Sequence, residues 1–476
     1  MQMIFSFDTE DYVDPLSNDA LLRLAQIHTK HDVPAVFGLV GEKARFIHFC
    51  GRDDVVEALK DHEVAYHSDH HWILPNPRYE PEHIPAFVNG RDWDTGIDRI
   101  LAEESRGLAD IGDVFGERPI TQLRNYGDWT PQVMAAHARL GLGVHAYGPV
   151  FHNRQPEPIW YCNQLQIANP RHMYEDYLHD ENLTPREKLD RHIADVQRHL
   201  DEGTFRLGWV NHPTRFIADT WWEQPNWWGD CDDPPRRDWS YPPRFDAETI
   251  EQLLWIADEL VGWVARQPEI EIRTFREFYA EHRPTRVWVT QEEVRALAEA
   301  VGDRPAMVMA GGESFSPAEL LGVFAHALGA REGGRADQLH PLRRILGPTE
   351  QPAETAQGSA SGATLREACF EAELFIRDHG RVPARVAVGD AEVGPGALLV
   401  AMARMIRGDT TEQVQIPAAD NLPEEYAPGH YEAIETQGFP LGYIQYQGRR
   451  EELDFSAIRR HAKWQYWTFK VATKTA

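Results

Sequence analysis

Four short polar clusters in the first 283 residues combine side chains that can grip a cation, move a proton or polarise a carbonyl. They are Asp8-Thr9-Glu10-Asp11, His67-Ser68-Asp69-His70-His71, Arg124-Asn125-Tyr126-Gly127 and Asn211-His212-Pro213. His67 and His71 are four residues apart, so if this segment opens a helix both imidazoles leave one face and can bind a single divalent ion. A carboxylate from another strand would complete a facial set. The plainer alternatives are a surface loop in a chain with 22 histidines, and a solvated acidic loop or helix cap around Asp8, Glu10 and Asp11. Three acids emerging directly from the apolar run Met3 to Phe7 favour a site.

Each cluster falls at or just after the carboxyl end of an expected strand, the edge where parallel barrels gather catalytic groups. The strand candidates are Met3 to Phe7, Ala35 to Val40, Glu63 to Tyr66, Ile120 to Leu123, Ile159 to Ala168, Phe205 to Asn211 and Ile270 to Phe275. Helical stretches lie between them. In the clearest, Asp246 to Gln267, apolar residues from Ile250 to Val264 recur at helical spacing behind an Asp246 N-cap. Such alternation implies an α/β fold with a parallel sheet; a closed or distorted (β/α) barrel suits this length, and an open doubly wound sheet is its competitor.

After Pro284 the texture changes. The segment Pro305 to Leu328 aligns without gaps on Pro383 to Ile406, an offset of 78 residues, with Pro305, Gly311, Pro317 and Leu321 matching Pro383, Gly389, Pro395 and Leu399. Each copy reads as a helix, a short strand with a Gly turn and a Pro-initiated helix, and two copies would pack into one smaller α+β domain. The expected units are 1–283, a first repeat 284–347, a flexible linker 348–362 rich in Pro, Gly, Ser, Ala and Gln, a second repeat 363–428, and an aromatic-rich segment 429–476 that packs against something. Residues 1–283 are expected to fold without the rest.

Formal charge excludes one class of partner. With 48 Lys and Arg against 75 Asp and Glu, the net charge of -27 repels polyanions, so nucleic acid is not an expected ligand. The start, MQMIFSFDTEDY, has no basic region followed by an apolar one, and no apolar run spans 18 residues. The expectation is a soluble, cytoplasmic chain without a membrane span. Four cysteines, Cys50, Cys162, Cys231 and Cys369, form no C-x-x-C pair and read as buried thiols.

The series Phe7-Asp8-x-acid, His67-Ser68 with His71, an Arg-led loop at Arg124 and a late Asn211-His212 resembles the motifs of the polysaccharide deacetylase (NodB-homology, carbohydrate esterase family 4) family. Val33 to Gly41 is similar to that family's second strand, and Ile270 to Phe278 to its last strand and helix. The resemblance implies a distorted barrel of NodB type over about 60% of the chain, and a metal-dependent hydrolase of an amide, acting on an N-acylated amino sugar, glycan or glycolipid precursor. It assigns Asp8 as general base, Arg124 as the group that orients it, and His212 as the acid for the leaving amine. His67 and His71 become metal ligands with an acidic neighbour of Asp8. Thr9 stands where the family usually carries that acid, so the ligand is Glu10 or Asp11, and Glu10 is chosen. Two imidazoles and a carboxylate suit one divalent ion, zinc above all.

Tyr126, Trp129, His145 and Trp209 are the candidate substrate contacts. Between Trp209 and Trp239 lie six tryptophans that would either line a glycan cleft or form a satellite core, with the core favoured. The C-terminal repeats faintly resemble pseudomurein-binding repeats, and dimerisation through them is an equal expectation. The alternatives of another class are an allantoinase-like hydrolase of a small amide without metal, and a carbohydrate-binding scaffold without turnover.

Overall fold

The computed structural model describes residues 1–71, 88, 90–123, 130–146, 151, 155–168, 171–173, 177–227, 234–329, 338–408, 413–436 and 454–474. Strand β1 (Gln2–Thr9) is fully flanked by other strands. Its alternation sends Met3, Phe5 and Phe7 into an apolar cluster beneath the helices and Ile4 into a second cluster on the opposite face. It pairs in parallel with β2 (Val36–Val40) and β9 (Arg206–Asn211), and at its start with β10 (Glu271–Ile272). From β2 the parallel ladder continues through β3 (Glu63–Ser68), β4 (Thr121–Gln122), β5 (Val144–Ala146) and β7 (Gln164–Ile167), and β8 (Arg171–Met173) lies outside β9.

One face of this sheet gathers Ile4, Val36, Ala65, Leu123, Val144, Leu165 and Ile167 into a single cluster with Phe275 and Phe278. Strands from β1 to β7 can share one inner core only if the sheet curls round it, which is the distorted barrel expected. Among the described residues the ladder itself is open at β8. Arg206, 2% exposed, links β9 to the chain before and after β7 by donating to the carbonyls of Pro156 and Ala168, and also donates to Gln2 Oε1, with its guanidinium 4.7 Å over the Phe278 ring. Burial, with Arg273 nearby, lowers its pKa to about 10, and the three acceptors offset the loss of water.

The outer face is covered by helices, one of them with the Asp246 cap expected from the sequence. Asp246 accepts from Thr249 N at 2.7 Å to start the helix Ala247–Ala265, which buries Leu253, Leu254, Leu260, Val261 and Val264. The helix Trp93–Phe115 starts on Asp92 and ends at Gly116, whose φ of 76° only glycine adopts without strain. No helix among the described residues is long and apolar enough to cross a membrane.

Three expectations change. The run Ile159 to Ala168 is a hairpin, β6 (Ile159–Tyr161) against β7, reversed at Cys162 and Asn163, with φ of 49° and 65°. A Cys-Asn turn is a weak signal, so the two strands read as one. The stretch 348–362 is more than a linker: it holds β15 (Gly358–Ser361), antiparallel to a strand that begins at Gln413, and Ser361 caps the helix Gly362–His379. Its small polar residues carry no period, and the partner is far along the chain. The repeat unit is accordingly larger than a helix, strand and helix. The first copy runs β11 (Trp288–Thr290), a helix, the hairpin β12 (Val308–Ala310) and β13 (Glu313–Phe315), the helix Pro317–Gly329, and β14 (Leu339–Pro341) antiparallel to β11. The second repeats this with β15, β16 (Val386–Val388), β17 (Ala391–Val393), the helix Pro395–Arg407 and β18 (Gln413–Ile416). Both copies share one core.

The aromatic C-terminal segment packs back on the first domain. Phe455, Ile458, Tyr466 and Phe469 join Trp93, Ile97, Ile100 and Tyr161 in one cluster, and Tyr161 Oη donates to the Ala462 carbonyl at 2.7 Å. The last strand, β19 (Lys470–Val471), pairs antiparallel with β6 and so extends the barrel sheet.

Candidate metal and catalytic centre

The inward face of β1 ends in Asp8, and the inward face of β3 ends in His67; both stand at the carboxyl edge of the sheet. His67 Nδ1 is 3.8 Å from Asp8 Oδ1, and His212, just past β9, places Nε2 3.6 Å from Asp8 Oδ2. Asp8 therefore sits between two imidazoles. Glu10, two residues beyond Asp8 and 1% exposed, turns Oε2 to within 2.8 Å of His71 Nε2 and 3.4 Å of His67 Nε2. The two imidazoles are near parallel, 18° between planes and 5.7 Å between centroids.

The spacing of His67 and His71 works through a different element from the helix expected. His67 is on the strand and His71 is in a turn after it, with Ser68 and His71 at φ of 122° and 61°. Left-handed backbone at two non-glycine residues is strained and needs outside support. That support is buried. Asp69 N donates to Glu104 Oε2 at 3.0 Å, the Asp69 carbonyl accepts from Glu42 N at 2.9 Å, and Arg45 Nη2 donates to Asp69 Oδ1 at 2.7 Å. A Cβ at Gly107 would lie 2.8 Å from the Asp69 backbone, so the helix behind the turn needs glycine there.

The choice between Glu10 and Asp11 is made by their surroundings. Asp11 Oδ1 accepts from Val13 N and Asp14 N at 2.9 Å each, its Oδ2 accepts from Thr214 Oγ1 at 3.0 Å, and its carbonyl accepts from Lys43 Nζ at 2.7 Å. Asp11 thus ties the first loop to the loop of His212. Glu10 Oε1 accepts from Trp222 Nε1 at 3.1 Å, which leaves Oε2 to the histidines.

Glu10, His67 and His71 each offer an atom within 4.8 Å of the others, all buried. Among the described residues, Glu10 Oε2 and His67 Nε2 are buried and make no hydrogen bond of acceptable direction, although 3.4 Å apart. Lone pairs that converge without sharing a proton are the arrangement of ligands round one centre. Two donors at about 2.0–2.1 Å from a tetrahedral ion are themselves roughly 3.3 Å apart. The three residues fit a divalent cation.

Charge is distributed unevenly over the centre. Burial raises the Asp8 pKa, against the pull of His67 and His212. Burial would raise Glu10 as well, but the neighbouring imidazoles of His71 and His67 hold it well below the usual carboxylate range. For His67 the carboxylates of Asp8 and Glu10 overcome burial and raise the pKa, whereas burial prevails at His71 and lowers it.

The structure thus brings together Asp8, Glu10, His67, His71 and His212. Arg124, Tyr126 and Trp129 lie outside the described residues. Trp209 and His145 are corrections to the expected substrate contacts. Trp209 is fully buried on the helix-covered face, edge-on to Phe5 at 5.4 Å, and His145 alternates with the inward Val144 and Ala146 and so faces the same outer layer. Strand residues one position out of phase cannot reach the barrel mouth. The residues missed are Trp221 and Trp222. Trp221 packs edge-on against His212 at 4.6 Å, and Trp222, Trp227 and Trp239 form the satellite core with Tyr12. Their signal was the tryptophan cluster itself, but nothing in it distinguished the neighbour of His212 from the donor to Glu10.

No family model and no curated protein matches the sequence. Among solved structures, the chain resembles a protein from Mycobacterium smegmatis assigned as a polysaccharide deacetylase, at 16% identity over 58% of this chain and 88% of that one, TM-score 0.36. It resembles a family 4 carbohydrate esterase from Streptomyces lividans at 14% identity over 57% and 92%, TM-score 0.28, and the Puue allantoinase at 11% over 60% and 92%, TM-score 0.37. Likenesses this distant leave the chemistry to be argued from the residues.

Proposed function

We propose that this chain is a metal-dependent hydrolase that removes an acyl group from the nitrogen of an amino sugar or related glycan. The observation that carries the reading is the convergence of Glu10, His67 and His71 beside a partly buried Asp8 that is itself flanked by His212. A bound divalent ion, zinc in the first instance, would polarise the acyl carbonyl and acidify the attacking water. Glu10 Oε2, His67 Nε2 and His71 Nε2 are the atoms that would hold it. Asp8 accepts the proton of the water as its oxygen adds to the carbonyl carbon, and its raised pKa moves it toward the working range of a base near neutral pH. His212 Nε2 delivers a proton to the nitrogen as the C–N bond breaks, which releases a carboxylate and a free amine. Trp221, edge-on to the His212 ring, fixes the direction of that delivery. The test is metal content of the purified full chain, followed by acid release from a panel of N-acetylated sugars and small amides. About one equivalent of zinc and acetate release from a sugar are expected. Full turnover in metal-free protein would overturn the reading.

A further inference from the structure

The two repeats serve as each other's control, because residues at matching places do the same structural work unless something else is asked of them. Thr290 and Ser361 each end a strand and cap the helix that follows, which sets Val289 on Ala360. Their cross-strand partners, His340 on β14 and Val414 on β18, therefore occupy one place, and both are buried, at 0% and 1% exposure. The gapless offset of 78 residues sets His326 on Arg404. A valine fills the buried place in the second repeat, so the fold itself does not require an imidazole there.

In the first repeat two imidazoles meet. His326, half-buried on the helix Pro317–Gly329, and His340 bring their Nδ1 atoms to 3.1 Å, with 78° between the ring planes. His340 Nε2 lies 2.9 Å from Gln291 Oε1. An amide oxygen only accepts, so the proton of His340 is on Nε2 and its Nδ1 turns a lone pair toward His326. Burial and the adjacent imidazole lower the His340 pKa to about 4, which keeps the ring neutral near neutral pH. A carbonyl oxygen that fixes the far nitrogen of an imidazole is the usual outer partner of a metal-bound histidine. In the second repeat Gly362 follows the cap where Gln291 stands in the first, so that partner is missing along with both imidazoles. Two nitrogens about 2.0–2.1 Å from one ion are themselves roughly 2.9–3.4 Å apart at octahedral to tetrahedral angles, and 3.1 Å lies in that range. A proton passed from His326 to His340 would give the same separation, but it leaves the three first-repeat residues without a reason. Glu373, whose charge reaches His326, is held by Arg343 Nη1 at 3.0 Å. Imidazoles without a free carboxylate favour copper(II) and zinc over magnesium or calcium.

We propose that His326 and His340 form a second metal site, at which a divalent transition ion, copper(II) most tightly, joins β14 to the helix Pro317–Gly329 through the two Nδ1 atoms. It is separate from the hydrolytic centre and independent of the reaction proposed there. The untagged full chain, stripped of metal, is titrated with copper(II) and with zinc, followed by calorimetry and by electron paramagnetic resonance of the copper. A copper equivalent whose spectrum is split by two ring nitrogens is expected, and it should persist in His71→Ala. His340→Val and His326→Arg install the residues of the second repeat, and each should remove that equivalent. If His340→Val does not fold, His326→Arg on the half-buried side carries the test. Copper uptake that is the same in the full chain and in the folded variant overturns the proposal and leaves a hydrogen bond between the two rings. Uptake lost in His71→Ala and untouched by His326→Arg also overturns it, because the ion then sits at the hydrolytic centre alone.

Discussion

Trp222→Phe isolates one hydrogen bond of the metal centre. The indole Nε1 donates to Glu10 Oε1 at 3.1 Å, and neither residue is more than 1% exposed. A phenyl ring keeps the aromatic contacts, with Tyr12 at 4.7 Å and Trp227 at 5.7 Å between centroids, and removes only the donor and part of the ring. Glu10 Oε1 is then buried without its partner, while Oε2 is no longer held toward His67 and His71. A hydrogen bond to a charged group contributes about 1.5–3 kcal/mol. At about 1.4 kcal/mol per factor of ten, zinc affinity should fall roughly ten- to hundredfold, the scale seen when the partner of a metal ligand is removed. The assay is competition for zinc between the full chain and a chelator of known affinity, with Glu10→Gln as the reference for losing the ligand itself. Unchanged zinc affinity in a folded Trp222→Phe protein, beside a large loss in Glu10→Gln, would refute the claim that this bond orients the carboxylate.

Asp8→Asn should retain the ion and lose turnover by about a hundredfold or more, while His67→Ala and His71→Ala should lose the ion and regain some activity in excess metal. An empty Asp8→Asn site beside a full Glu10→Gln site would exchange the roles of the two acids. Burial lowers the pKa of His28 and of His137 to about 3, so the unfolded chain takes up protons from about pH 6.5 downward that the folded chain refuses. Stability should therefore be full above pH 6.5 and fall as the pH drops, by roughly 2 kcal/mol per histidine at pH 5; urea denaturation that is level from pH 7 to 5 would contradict this. Ending the chain at Arg283 removes Phe455, Ile458, Tyr466 and Phe469 from the cluster over Trp93 and Ile97, at about 1.5–3 kcal/mol for each large side chain. The shortened chain should melt well below the full one, and equal melting temperatures would show that the first domain gains no stability from this packing.

Much of the barrel was legible because its signals are local. The short apolar and aromatic runs Met3 to Phe7 and Phe205 to Asn211, and the capped periodicity of Ala247–Ala265, need only neighbouring residues to be read. The same locality misled at Ile159 to Ala168, where continuous burial on both strands concealed a reversal, and at Gly358–Ser361, where a strand exists only because β18 returns to pair with it.

The sequence by itself determined that acids and imidazoles would stand at the carboxyl ends of parallel strands, since each follows its own strand directly. Asp8, His67 and His212 were placed by that rule. Which acid faces the imidazoles was decided only in three dimensions. Glu10 and Asp11 are neighbours of like charge on one loop, and no local pattern separates them. Lys43 and Thr214 hold Asp11, and Trp222 holds Glu10, from elements that approach only when the sheet curls. The turn of His71 back toward Glu10 is likewise a tertiary matter, because its left-handed backbone is unfavourable alone and persists through the bonds that Glu104, Glu42 and Arg45 make to Asp69.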